Sequence, residues 1–296
     1  MKDFEYHSPA SLTEAAELLK KHSGARILAG GTDLIPQMYD GKISPEHIIN
    51  IKKIPELSEI SYDDSNGLTL GSLVKFNEII YSDTVSTNYP ILCEVSKKIA
   101  SHQIRNLATV GGNLCNAAPS ADSAPILIAL DSTVTIVGPG TTKHKLPLEK
   151  FFTGPGTTVL ETGEILTNIE VPQIKPKTGM AYIKHTTRKA LEIAVVGVAG
   201  LIQLEKDTDK CTSARIVVAA CAPTPLRVQK AEELLIGKKL AMKDFKAAAA
   251  LTAETVSPIS DVRASDLYRR EMVLVQTKRV LEEANSRAYS NSDMES

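Results

Sequence analysis

Several kinds of protein are excluded by what this chain does not contain. Its four cysteines, Cys93, Cys115, Cys211 and Cys221, form no CxxC or CxH pattern. That spacing argues against an iron–sulfur cluster or a zinc site built from sequence-adjacent thiolates. The six histidines (His7, His22, His47, His102, His144 and His185) include no i, i+3 or i, i+4 pair, so no metal chemistry is visible. No GxSxG elbow points to a Ser/His/Asp triad. Neither sign of charge dominates: the formal net charge is −1, which argues against broad capture of nucleic acid or anionic membrane. No apolar run reaches the roughly 18 residues that a spanning helix needs. The opening segment carries Lys2, Asp3, Glu5 and Glu14 and so lacks the apolar core of a signal peptide. A cytoplasmic location, no nucleic-acid partner and no membrane span are the expectations. At 296 residues, 43% hydrophobic and 23% charged, the chain reads as a globular protein long enough for more than one core.

What is present has a clear order. "SLTEAAELLKKH" opens with Ser11 three residues before Glu14, a capping-box spacing, and Gly24 stands where a helix would end. "ARILA", "HIINI" and "LTLGS" read as strands, whereas "VKFNEIIYS" and "PILCEVSKKIA" have helical apolar spacing. "APILIALD" is a buried helix or strand, and "STVTIVG" alternates as a strand should. "GPGTT" occurs twice, at 138–142 and 154–158, and reads as two tight turns, the first closing a hairpin. Neither copy fits G-x-G-x-x-G, so a dinucleotide fingerprint of that kind fails. A Lys/Pro-rich connector at 173–178 separates this half from three strands followed by three helices, the segregated pattern of a small α+β domain. The polar end, 286–296, is expected to fray.

Two glycine pairs stand about eighty residues apart, in "ILAGGTDLIP" and "ATVGGNLCNAAPSAD". Glycine lets main chain approach a ligand closely and permits positive φ. Successive N–H groups in such turns form an anion-binding concavity. Two cradles brought together would clamp a diphosphate, with about 1.5–3 kcal/mol from each charge-assisted bond. Thr32, Thr109, Asn113, Asn116 and Ser120 add neutral donors, and the carboxylates of Asp33 and Asp122 suit ribose hydroxyls or an amide. Alone, each pair is an ordinary strand-to-helix turn and Asp33 a helix N-cap.

At these residues the chain resembles the FAD-binding medium subunit of the molybdenum hydroxylases, the family of xanthine, nicotinate and carbon monoxide dehydrogenases. The likeness covers about 1–285. It rests on "AGGTDL", "QIRNLATVGGNLCNAAPSADSAP", "FFTGPGTTVLETGEILTNIEVP", "YIKHTTRK" and "APTPLR", five blocks in the family's order. The resemblance implies an α+β fold. Its two-part FAD-binding domain is of the vanillyl-alcohol-oxidase (PCMH) type, at 1–176 with parts at about 1–55 and 56–176. A small C-terminal domain at 177–285, a three-stranded sheet with helices, comes next, and then the flexible tail. It further implies FAD contacts from Ile27, Leu28, Ala29, Gly30, Gly31, Thr32, Asp33 and Leu34 on one side. Thr109, Gly111, Gly112, Asn113, Asn116, Ser120, Ala121 and Asp122 would meet the cofactor on the other. Ile99, Ile104, Leu160, Ile165 and Leu166 would add apolar contacts, Lys184 a charge near the isoalloxazine, and Tyr182 a shield over one ring face. Position 116 departs from eukaryotic relatives, which carry Thr where this chain has Asn.

The same resemblance implies an electron-transfer role without catalytic side chains or a metal site on this chain. A partner large subunit would carry the molybdenum cofactor and a partner small subunit the [2Fe-2S] clusters. Electrons would leave through FAD to NAD, quinone, ferredoxin or oxygen. Lys184 is either a cation that raises the flavin potential or a solvated strand lysine. Arg105 is expected to anchor its loop, and Arg188 either assists Lys184 or forms an exposed ion pair. The alternatives are a stand-alone flavin-dependent oxidoreductase of the same fold and a nucleotide-binding regulatory module.

Overall fold

A computed structural model describes residues 1–188 and 191–290. The first unit is built on β1 (Glu5–His7), β2 (Arg26–Leu28) and β3 (His47–Asn50), a parallel sheet in the order β1-β3-β2. Between β1 and β2 runs α1 (Leu12–Lys21), started as its sequence foretells. The Glu14 N–H donates to Ser11 Oγ at 3.2 Å, and the Ala10 N–H donates to the Glu14 carboxylate at 2.9 Å. Its inner face buries Ala15, Ala16 and Leu19 against Ile49, Ile51 and Ile54. After β2 the first glycine pair turns the chain into α2 (Leu34–Tyr39).

The second unit is an antiparallel sheet that the chain leaves and re-enters. It begins with β4 (Ile60–Asp63) and β5 (Gly67–Gly71). A helical run comes next: α3 (Phe76–Tyr81), α4 (Asp83–Asn88), α5 (Pro90–Lys97), α6 (His102–Arg105), α7 (Val110–Asn116) and α8 (Ser123–Ala129). "APILIALD" is therefore helical, and every residue of α8 is buried, which is why no one-sided period marks it. β6 (Thr133–Val137) and β7 (Lys143–Pro147) form a hairpin closed by the first GPGTT. The second GPGTT lies in a small hairpin of β8 (Phe152–Gly154) and β9 (Thr157–Thr158). β10 (Ile165–Val171) then inserts between β5 and β6, completing the order β4-β5-β10-β6-β7.

The C-terminal unit has β11 (Thr178–His185), β12 (Val196–Leu204) and β13 (Cys211–Ala219), with a fourth strand beyond the three that the sequence pattern predicts. This β14 (Leu226–Arg227) pairs with Val217 and Val218; two residues are too few for any alternation to show. Helices α9 (Gln229–Glu233), α10 (Met242–Thr255) and α11 (Asp266–Ser290) complete the unit. Residues 286–290 do not fray, because they continue α11. Ala288 is fully buried, and Arg287 forks onto Glu94 of α5 with both N–O distances at 3.0 Å. The remainder of the expected tail, 291–296, lies outside the described residues.

Strand parity decides what the two faces of this third sheet meet. Met180, Tyr182, Ala199 and Val217 join the core of the second unit, while Ala181, Val198, Ile216 and Val218 join the core under α10 and α11. α11 therefore packs on its own domain's sheet, and its main chain comes very close. A Cβ added at Gly179 would lie 2.0 Å from Ala284 O and 2.3 Å from Ala288 N. Gly179→Ala is expected to destabilise this domain by about 1–3 kcal/mol or more, the range of core overpacking. A lower urea midpoint of the far-ultraviolet helix signal reports it, and an unchanged midpoint counts against the close helix–strand packing.

Candidate functional site

The two glycine loops meet. A Cβ built on Gly30 would lie 2.1 Å from the carbonyl oxygen of Leu107 and 3.0 Å from Ala108 Cα, so only glycine allows this approach. Gly31 has φ +74°, the left-handed value that reverses the chain after β2. A Cβ on Gly112 would be 2.8 Å from Thr109 Oγ1 and 3.9 Å from Ala29 Cβ, across the same seam. Asn116 Nδ2 donates to Asp33 Oδ1 at 3.2 Å and so ties the two loops together. Asp33 occupies the N-cap position of α2, yet its side chain makes no capping bond; it faces Asn116 instead.

The loops are not twins, and the expectation of two main-chain cradles needs correcting. In the first loop, the N–H groups of Gly30, Gly31, Thr32, Asp33 and Leu34 find no protein acceptor among the described residues. In the second, the main-chain donors are already engaged. Val110 N–H donates to Val74 O and Gly111 N–H to Ser72 O, each at 2.9 Å. Gly112 N–H donates to Thr109 Oγ1 and Asn113 N–H to Thr109 O, each at 3.0 Å. Thr109 is the N-cap of α7, so the second glycine pair lies inside the first helical turn rather than in an open cradle. Its glycines are steric: a Cβ at Gly111 would be 2.5 Å from Ser72 Cβ. One face of the site offers main chain and the other offers side chains. Ser123 Oγ donates to Asn113 Oδ1 at 2.6 Å, which leaves the donor end of that amide for the cleft.

Around this seam runs a cleft of about 1120 Å³. It exceeds the roughly 300–1,000 Å³ of ordinary small-molecule pockets, as an extended dinucleotide requires. From the first loop it is lined by Ile27, Ala29, Gly30, Gly31, Thr32, Asp33 and Leu34, and from the second by Thr109, Gly111, Gly112, Asn113, Asn116, Ser120, Ala121 and Asp122. Ile99, Ile104, Leu160, Ile165, Leu166 and Lys184 also line it. Two expected residues do not. Leu28 is buried behind the first loop against Met38 and Ile48, and Tyr182 is 3% exposed within the core. Sequence reasoning misses Arg26, Ser72, Thr157, Glu161 and the segment Leu191–Ile193, all of which line the cleft. The second GPGTT is the available signal for Thr157.

Lys184 is not a solvated strand lysine. Its side chain is 10% exposed, and Nζ donates to Asp122 Oδ2 at 2.7 Å and to Lys98 O at 3.1 Å. Tyr182, on the same face of β11, donates its hydroxyl to Asp122 Oδ1 at 2.7 Å. Burial pushes the Asp122 carboxyl up from its ordinary value; the Lys184 ammonium and the hydrogen bonds from Lys184 and Tyr182 oppose that rise. Burial, and after it the charge of Asp122, drives the Tyr182 hydroxyl well above its usual value. Lys98 donates to Tyr182 O at 2.5 Å, and burial lowers its ammonium pKa. Arg105 does anchor the second loop from behind, with Nη1 donating to Ile99 O at 2.7 Å and Nε to Asn77 Oδ1 at 3.2 Å. Arg188, its side chain 71% exposed, pairs with Glu192. Burial pushes the thiol of half-buried Cys115, which also borders the cleft, up to about 12.

Comparison with known proteins decides the family. Residues 2–174 match the model of the FAD binding domain in molybdopterin dehydrogenase, and residues 181–284 that of the CO dehydrogenase flavoprotein C-terminal domain. The chain belongs to the FAD-binding medium subunits of the molybdenum hydroxylases. It is 35% identical to the xanthine dehydrogenase FAD-binding subunit of Escherichia coli O157:H7 over 286 residues, covering 96% of this chain and 97% of the relative. It is 34% identical to the carbon monoxide dehydrogenase medium chain of Hydrogenophaga pseudoflava, covering 96% and 98%. A solved carbon monoxide dehydrogenase from that organism superposes with a TM-score of 0.93 over 97% of this chain and 98% of that one. As a medium subunit, the chain is an oxidoreductase component of a multi-subunit complex, and its cofactor is FAD. No helix among the described residues is long and apolar enough to cross a membrane.

The seam gives the site its sharpest test. Gly30→Ala is expected to push the two loops apart and weaken FAD binding about tenfold or more, matching overpacking of about 1.4 kcal/mol and above. Titration of the deflavinated protein, followed by quenching of flavin fluorescence, measures it. Wild-type affinity in a folded Gly30→Ala protein would show that the seam does not shape the site.

Proposed function

We propose that FAD lies extended along the cleft, gripped by the Gly30–Leu34 main chain, and that the subunit relays electrons from a [2Fe-2S] cluster on a partner chain to an external acceptor. The observation that carries this reading is the row of free N–H groups at Gly30–Leu34, held open against the second loop by a contact that only glycine permits. Two or three of these donors converging on phosphate oxygens contribute roughly 3–9 kcal/mol. That supports tight cofactor binding without a second main-chain cradle. When bound, FAD supplies the redox chemistry that couples one-electron and two-electron carriers.

The chain's own residues bind, orient and shield. Asp33 and Asn116, bonded to each other, set the loop spacing and turn polar atoms toward the sugar and phosphate portion. Leu160, Ile165 and Leu166 form an apolar wall that excludes water. Asp122 is held by Tyr182 and Lys184, so Tyr182 acts as a positioning residue behind the wall rather than as a shield over the ring. Lys184 brings a cation to the cleft, but Asp122 balances it, and the two together set the local field. The working assembly has a molybdenum-cofactor large subunit and an iron–sulfur small subunit, operates in the cytoplasm, and delivers electrons to NAD, quinone, ferredoxin or oxygen. Relatives named for xanthine and for carbon monoxide are nearly equal in identity, at 35% and 34%; substrate choice would belong to the large subunit that carries the molybdenum cofactor.

The purified chain is expected to show an oxidised-flavin spectrum that dithionite bleaches, with FAD released on denaturation; a folded, colourless protein that takes up no FAD overturns the reading. Lys184→Met is expected to lower the flavin midpoint potential, and Asp122→Asn to raise it. Each shift is on the order of 30 mV, the two-electron equivalent of about 1.4 kcal/mol. Identical potentials in all three proteins would remove this pair from the tuning of the flavin.

A further inference from the structure

Away from the glycine seam, folding gathers three histidines that are scattered in the sequence. β1 and β3 run parallel with Glu5 opposite His47, and His7 stands two residues beyond Glu5. By strand parity Glu5, His7 and His47 share one face of the sheet. His22, the C-cap residue of α1, arrives on that face from the helix end. The ligand-capable nitrogens of His7, His22 and His47 all lie within 4.8 Å of one another, and His7 Nε2 and His47 Nδ1 are 3.1 Å apart. The His22 and His47 ring centroids are separated by 3.8 Å. Glu5 Oε2 lies 3.4 Å from His47 Nδ1 and 3.8 Å from His7 Nε2. No other group of three or more His, Cys, Asp or Glu side chains among the described residues is arranged this way.

We propose that His7, His22, His47 and Glu5 form a structural site for a divalent transition-metal ion of the zinc class. Three imidazoles and one carboxylate are the donor set that zinc accepts in tetrahedral geometry. Metal–nitrogen bonds of about 2.0–2.1 Å set neighbouring ligand nitrogens about 3.3 Å apart. The His7–His47 pair already has nearly that separation, and the His22 ring, now packed over His47, would turn to bring its nitrogen to the ion. One metal ion would use all three rings as ligands at once. The ion would join β1, β3 and the end of α1, pinning residues 7, 22 and 47 of a unit whose strands are only three or four residues long. His22 also lines the cleft, so the same ion would fix the wall leading into β2. This site stands apart from the flavin reading, and either can fail without the other.

The full-length chain, flavin in place, is stripped with chelator and titrated with cobalt(II) chloride, then with zinc chloride. One equivalent of cobalt is expected to bind at micromolar concentration with the visible bands of a tetrahedral nitrogen-ligated ion. Zinc is expected to displace it and to raise the melting temperature. His22→Gln and His47→Gln are expected to lose both responses, Glu5→Gln to weaken them, and His185→Gln, in the C-terminal unit, to keep them. Because His22 sits at a helix end, His22→Gln carries the test if His47→Gln does not fold, with circular dichroism as the folding check. Absence of stoichiometric cobalt binding in the wild type, or wild-type binding in His22→Gln, overturns the proposal.

Discussion

The contact of Gly30 with the Leu107 carbonyl is the constraint on which the site depends. It brings the end of a parallel sheet against the start of α7, closer than any side chain would allow. Among the described residues, the N–H groups of Gly30–Leu34 beside that contact have no protein acceptor. The approach also brings Asn116 within reach of Asp33, so a hydrogen bond holds what the glycine permits. Buried main chain needs partners. The second loop finds its own within the protein, whereas the first loop's N–H groups have none among the described residues.

A second constraint comes from strand parity in the C-terminal unit. Met180, Tyr182 and Lys184 share one face of β11, and that face closes over Asp122. A one-residue slip would exchange them for Ala181 and Ile183, which belong to the core under the helices. A buried carboxylate is costly unless paired and hydrogen-bonded. Asp122 has both an ammonium and a phenol, each at 2.7 Å, so the two domains meet through a satisfied polar network rather than through apolar contact alone. The bidentate Arg287–Glu94 bridge fastens the far end of α11 to the same neighbour.

Much of this is legible in the residues. The glycine pairs, the capping box at Ser11, the alternation in "STVTIVG" and the helical spacing of the later segments all correspond to structure, and the ordered motif blocks identify the family. The twin-cradle expectation fails because a motif reports which residues are present, not where their N–H groups point; Val110, Gly111, Gly112 and Asn113 donate within the protein. The motif block places Tyr182 at the ring, whereas its burial depends on the packing of two domains. β14 is too short to carry a period, and Arg26, Ser72 and Leu191–Ile193 reach the cleft through packing that no local pattern announces.

The family, many of the longer strands and helices and the need for close main-chain approach at two points were determined by local residue pattern, since periodicity, caps and glycines act over a few positions. Which loop keeps free donors, which carboxylate meets Lys184, and the meeting of His7, His22 and His47 were decided only by tertiary structure. Each depends on register and docking between segments far apart in the chain, and hydrogen bonds or ligand sets across such distances leave no spacing for a sequence to display.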